Sequence, residues 1–161
     1  PTIKDFMYGP FNKIYVRSLI GDLRFNTDLR MGEDFLFVFE YITRCNKIRI
    51  CDLCLYNYVK RENSAMTSAF SEKRLDYIKA VERIEKICSV NYEYVKEKVL
   101  VWGYIHRINT CIQMDRNNTI KKQYINCYNA MKKYLYEHKD IKQHIPFKVR
   151  CKYFVKRILK R

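Results

Sequence analysis

The stretch Met31-Gly32-Glu33-Asp34-Phe35-Leu36-Phe37-Val38-Phe39-Glu40-Tyr41-Ile42 leaves this chain few choices. Two acids follow a glycine, and an apolar run follows the acids. Acids suit the first turn of a helix, where free backbone N–H groups and the helix dipole favour negative charge. The run behind them is apolar on nearly every side, so the helix it predicts must be deeply enclosed by the rest of the chain. It stops near Cys45-Asn46. Enclosing it takes a core, and the composition allows one. Hydrophobic residues make up 48% of 161 positions and aromatics 15%, far too apolar for a disordered chain. Such a chain makes one domain, or a small lobe with an extension. Its 14 tyrosines suit half-buried positions, ring inside and hydroxyl at the surface.

Other segments line up around that helix. Gly9-Pro10 marks a turn, Asn12 to Ile20 forms a short unit that Gly21 punctuates, and Asn26, Thr27 and Asp28 read as a loop. Lys47-Ile48-Arg49-Ile50-Cys51 alternates charged and apolar residues, the signature of a half-buried strand. Leu53 to Val59 reads as a second extended stretch, and Arg61-Glu62-Asn63-Ser64 as a polar loop. From about Ser71 the period becomes helical. Tyr77, Val81, Ile84 and Cys88 share one face, then Val101, Ile105, Ile108 and Ile112, then Ile120, Tyr124, Cys127, Met131 and Leu135. Ser71 and Asn118 are candidate N-caps. Beyond Pro146, residues 148–161 set Cys151, Phe154, Val155, Ile158 and Leu159 on one face and basic residues on the other. The pattern divides the chain into 1–68, a helical extension over 69–145 and a basic amphipathic tail over 146–161.

Charge is placed unevenly. The net charge of +15 resides mainly in residues 118–161, where 13 Lys/Arg stand against two Asp/Glu. Whatever polyanion the protein meets, it meets there. A nucleic-acid module is disfavoured, because the charge lies outside the patterned region and no helix-turn-helix, RNP or zinc-finger signature occurs. The seven cysteines are odd in number and scattered, which fits reduced thiols in the cytosol better than a disulfide framework. Cys51-Asp52-Leu53-Cys54 spells CxxC, yet no second pair completes a zinc site. No run approaches the roughly 20 apolar residues of a spanning helix. The first residues, Pro1 to Asp5, lack both an initiating methionine and a signal peptide's apolar core, as a piece of a longer chain would.

Four features stand in order: Asn-Lys-aliphatic-Tyr then Arg and Ser-Leu-Ile (Asn12 to Ile20), Leu-Arg-Phe (Leu23 to Phe25) before Gly-Glu-Asp (Gly32 to Asp34), Leu-Tyr-x-Tyr (Leu55 to Tyr58) and Arg-Glu-Asn-Ser (Arg61 to Ser64). In this order and spacing, residues 8–68 resemble the second half of the catalytic domain of family 2 glycosyltransferases of the GT-A fold, above all bacterial members that build capsular and surface polysaccharides. The resemblance implies an α/β remnant, the C-terminal part of a GT-A catalytic domain with few strands, followed by a mostly α-helical extension. It implies inverting transfer of a sugar from a nucleotide-sugar donor to a hydroxyl acceptor, with Asp34 as general base and Glu33 in support. Glu33 and Asp34 would serve equally as plain helix N-terminal acids.

By the same resemblance, Arg61 and Lys60 lie near the donor diphosphate and the acceptor, where a cation offsets charge on the leaving group. A solvated basic loop is the other reading of that pair. Tyr58 and Ser64 are further binding candidates, and Lys13 is structural, covering apolar surface with its stem. The family's donor unit ends in an Asp-x-Asp that holds Mg or Mn on the diphosphate. Nothing here matches it, so this part is expected to carry no cofactor and to be inactive alone, the metal belonging to the whole enzyme. Open strand edges at Lys47 to Val59 lead to an expectation of self-association. The expected acceptor is a glycan or lipid-linked glycan, at the cytoplasmic face of the membrane. Residues 148–161 then meet anionic lipid, or else pack their apolar stripe onto the extension. The alternative function is a basic helical nucleic-acid-binding or adaptor module.

Overall fold

A computed structural model describes residues 9–51, 53, 55–57, 59, 70–147 and 150. The chain divides into two units, Pro1–Ala69 and Phe70–Arg161. In the first, a four-residue helix α1 (Arg17–Ile20) precedes α2 (Glu33–Thr43). The enclosure demanded by the apolar run is met: Phe35, Leu36, Phe37, Val38, Phe39 and Tyr41 are all buried. Leu23 joins Phe37, Val38 and Tyr41 in one cluster, with Tyr15, Leu19 and Ile20 packed against it. Aromatic edges fix the geometry. Tyr15 meets Tyr41 edge-on at 4.8 Å between ring centres, and Phe25 stacks on Phe37 at 4.3 Å. The Val16 N–H donates to the Tyr41 hydroxyl at 2.7 Å, tying the approach to α1 onto α2.

The α/β remnant expected from the resemblance is not what forms. Among the described residues every regular element is helical, and there is no strand. Lys47 to Cys51 alternates as read, yet Ile48 and Ile50 are 59% and 55% exposed. Among the described residues from 46 to 59, the sole backbone hydrogen bond runs from the Leu55 N–H to the Leu53 carbonyl at 3.0 Å. The physical reason is plain. Alternation sets which way side chains point, but a strand exists only where a neighbour accepts its backbone hydrogen bonds, and none of the described residues supplies one. Tyr56 does find a partner, stacking on Phe11 at 5.4 Å.

The second unit is helical throughout its described residues: α3 (Lys73–Asn91), α4 (Glu93–Arg116), α5 (Asn118–Gln123), α6 (Ile125–Glu137) and a 3-10 turn over Lys139–His144. A single residue, Tyr92, joins α3 to α4, so the two fold back on each other. Helix α4 is the centre. Its Cys111 and Met114 pack with Leu75 and Ile78 of α3 and Met131 of α6. Nearer its start, Tyr104 packs with Ile141 and Ile145, and the Tyr104 hydroxyl donates to the Leu135 carbonyl at 3.1 Å.

Four details depart from the reading of stripes and caps. Val101, Ile105, Ile108 and Ile112 are only half-buried, while the fully buried side of α4 is Gly103, Tyr104, Arg107, Thr110, Cys111 and Met114. Helix α5 is capped by Asn117, not Asn118. Its side-chain oxygen accepts from the Ile120 N–H at 3.1 Å. The third stripe breaks at Tyr124, whose hydroxyl hydrogen-bonds the Glu72 carboxylate at the head of α3. Ser71 lies one residue before the boundary position Glu72 and caps only through its carbonyl, which accepts from the Arg74 N–H. Among the described residues no helix is long and apolar enough to cross a membrane.

Candidate functional site

Gly32 opens α2 with φ +90°, a left-handed conformation that glycine adopts without strain. The chain turns there and presents Glu33 and Asp34 as the first two helical residues. Four N–H groups at such an end have no partner inside the helix, and the dipole places partial positive charge among them. Asp34 uses one of them, its Oδ1 accepting from the Phe35 N–H at 2.7 Å. The residue itself is half-buried. Glu33 is stranger. Its Oε2 is a buried oxygen with no hydrogen-bond partner among the described residues. Leaving a carboxylate oxygen buried and unmatched is costly, so an unmatched oxygen calls for an explanation beyond packing.

The surroundings hold this helix start in place. Six buried side chains anchor α2 from behind, and Arg44 at its far end reaches back to α1. The Arg44 guanidinium donates to the Ile20 carbonyl and the Asp22 Oδ1, both at 2.9 Å, filling the role of a C-terminal cap for the short helix. That hydrogen bond, with the guanidinium charge, holds the exposed Asp22 carboxyl below its ordinary value. Tyr15 donates to the Pro10 carbonyl at 3.0 Å, and burial, then Tyr41, pushes its hydroxyl up to about 12. Tyr15 is therefore a neutral donor and not a base. Lys13 does more than cover apolar surface. Its ammonium donates to the Gly9 and Phe11 carbonyls and to the Asn12 side-chain oxygen, at 3.0, 3.2 and 2.9 Å, and knots the Gly9–Lys13 turn. Burial lowers its pKa.

Of the other residues singled out in the sequence, Tyr58, Lys60, Arg61 and Ser64 lie outside the described residues, as do Cys54 and all of 148–161 except Arg150. Cys51 is an exposed free thiol. Among the described residues no group of three His, Cys, Asp or Glu side chains converges as a metal site would require, and Glu33 and Asp34 alone do not make one. The acids present do not fit a divalent ion, and no chemical step is routed through one.

Comparison with known proteins adds no relative: no family model, no curated protein and no solved structure matches the chain.

The second unit carries a constellation that periodicity passed over. Arg107 is 2% exposed and grips Glu85 with both arms of its guanidinium, at 2.7 and 2.9 Å. The Tyr134 ring lies against the same guanidinium at 3.8 Å. Gly103 makes room, since a Cβ there would stand 1.9 Å from the Glu85 carboxylate. The only sequence signal was a glycine in mid-helix four residues before an arginine, on a face otherwise apolar. Arg107 and Tyr134 line a groove of about 490 Å³ between α3 and α6, with Leu75, Ile78 and Met131 in its wall. Both terminal nitrogens of Arg107 are taken up by Glu85, with Glu82 3.5 Å from one of them, and the Tyr134 ring covers the guanidinium. We read the cluster as architecture.

Proposed function

We propose that this chain is part of an inverting glycosyltransferase, in which Asp34 takes the proton from an acceptor hydroxyl. The single observation that carries the reading is the pair of acidic residues at the N-terminus of a buried, aromatic-anchored helix, one half-buried and the other holding a buried oxygen without a partner among the described residues. In the reaction the acceptor oxygen attacks the anomeric carbon from the face opposite the leaving group. The bond from that carbon to the diphosphate oxygen breaks, the nucleoside diphosphate leaves with the electron pair, and the acceptor proton passes to an Asp34 oxygen. Pinning by Phe35 N–H leaves the second Asp34 oxygen for that proton. Glu33 supports the site by orienting a donor group of substrate or protein toward its unmatched oxygen.

The donor is bound by residues other than those described here, and the acceptor is a glycan or lipid-linked glycan of surface-polysaccharide assembly, at the cytoplasmic membrane face. Calorimetric titration of this chain alone with UDP- and GDP-sugars is expected to give no heat. The polypeptide that joins these residues to a donor-binding part is expected to release UDP or GDP in the presence of acceptor. Tight binding by this chain alone would overturn the division of labour. Failure of the joined polypeptide to release nucleotide from any donor would overturn the transferase reading itself.

Residues 47–59 bear on assembly. Leu53, Leu55 and Val59 are 69%, 80% and 71% exposed, beside Ile48 and Ile50, and the backbone of the described residues there is almost unpaired. Exposed apolar side chains on unpaired backbone invite association with another copy. Sedimentation velocity across a concentration series should show a mass that grows with concentration. Replacing Ile50 and Leu53 by lysine should weaken the association by about tenfold or more. A monomer mass at every concentration contradicts the expectation.

A further inference from the structure

The lysines of α5, α6 and the 3-10 turn are unevenly employed. Lys121 pairs with Asp115 and Lys133 with Glu137, whereas Lys122, Lys132, Lys139 and Lys142 have no acidic partner among the described residues. On α6, Ile125, Asn129, Lys132 and Tyr136 follow at spacings of four, three and four, which makes them one stripe. The stripe faces away from Met131, the buried residue of that helix. It is wet and partly apolar: Ile125 is 41% exposed and Tyr136 is 75% exposed. Lys139 continues it, its ammonium 5.7 Å from the centre of the Tyr136 ring.

We infer that this outer stripe of α6, with Lys139 beyond it, is a docking surface for an anionic lipid bilayer. The charge is complementary, since unpaired lysines are drawn to a negative headgroup layer. The apolar part decides between polyanions. An aliphatic side chain and an aromatic ring set among lysines enter the boundary between headgroups and acyl chains, where an amphipathic tyrosine is at home. A nucleic-acid backbone gives Ile125 nothing in return, and the stripe has no arginine to hold phosphate with two parallel bonds. The inference holds whether or not Asp34 takes a proton, and it rests on residues separate from the basic segment 148–161.

The test is flotation of the full-length chain with vesicles of phosphatidylcholine, alone or mixed with phosphatidylglycerol. Binding to the mixed vesicles only, weakening as salt is raised, is the expected result. Lys132→Glu with Lys139→Glu should lower the partition coefficient by about tenfold or more. Tyr136→Ser should lower it further at high salt, where the charge contribution is screened. Arg83→Glu with Lys86→Glu, which makes the same charge change on exposed α3 positions, should leave binding near its starting value. Far-UV circular dichroism checks that each variant folds. The inference is overturned if the α6 variants bind as well as the parent. It is equally overturned if the α3 variant loses as much as they do, or if duplex DNA is bound in preference to anionic vesicles with the same dependence on Lys132 and Lys139.

Discussion

Replacing Arg107 by leucine should lower the unfolding free energy of the helical unit by about 3–5 kcal/mol, the largest loss expected from any single side chain there. The reason is what remains behind. Glu85 has a side chain only 11% exposed, and its two oxygens are held by the two arms of Arg107 at 2.7 and 2.9 Å. Without the guanidinium, a carboxylate stays buried beside Glu82 with only the long 3.4 Å hydrogen bond from the Tyr134 hydroxyl to compensate it. Burial by itself lowers the pKa of Arg107, but the hydrogen bonds and charge of Glu85 outweigh this and hold it above the ordinary value, so the cation persists at every pH where the protein is folded. Tyr134 is pushed up to about 12, first by burial and then by Glu85, and stays neutral beneath the cation.

A second variant separates charge from packing. Arg107→Leu with Glu85→Leu removes both charges and should recover most of the loss, because an apolar pair of similar size is often as stable as a buried ion pair. Urea denaturation followed by circular dichroism at the helical minimum measures both. If the single variant loses less than about 1 kcal/mol, the pair is a bystander, since that is the worth of an exposed ion pair. Arg107→Lys should not rescue, because an ammonium cannot reproduce the two parallel bonds of the guanidinium fork.

Asp34→Asn should reduce turnover of the transferring enzyme by about 10²–10⁴-fold while leaving its fold intact. Asparagine keeps an oxygen for the Phe35 N–H, the one hydrogen bond that Asp34 makes. What the substitution removes is the charge and the capacity to accept a proton. A helix-end acid with no chemical part would show only the dipole's contribution, about 0.3–1 kcal/mol of stability and little change in rate. Glu33→Gln should cost less, acting through position alone. Turnover within twofold of the parent in Asp34→Asn would remove the base from this residue.

The local and the tertiary parted company at identifiable places. The enclosed helix was legible because its apolar run admits no solvated face, and Phe35 to Phe39 are indeed buried. The start of α2 was legible because two acids before an apolar run suit the positive end of a helix. Helical segments beyond residue 70 were legible from spacing, but not which side of α4 faces inward. Counting apolar residues chose Val101, Ile105, Ile108 and Ile112, whereas the buried side runs through Tyr104 and Arg107. A charged residue is entered as surface unless its partner is known, and Glu85 lies 22 residues away on another helix.

The amino-acid order by itself determined the helices, the burial of α2, the placement of Glu33 and Asp34 at its mouth and the concentration of positive charge after residue 118. These follow from interactions within a few residues, or from an apolar surplus that water will not tolerate. Only the tertiary structure decided that the described residues between 47 and 59 find almost no backbone partner, that α4 turns a charged face into the core, and that an oxygen of Glu33 is buried with no partner among the described residues. Each of those outcomes depends on which distant segment arrives to supply, or withhold, the other half of an interaction.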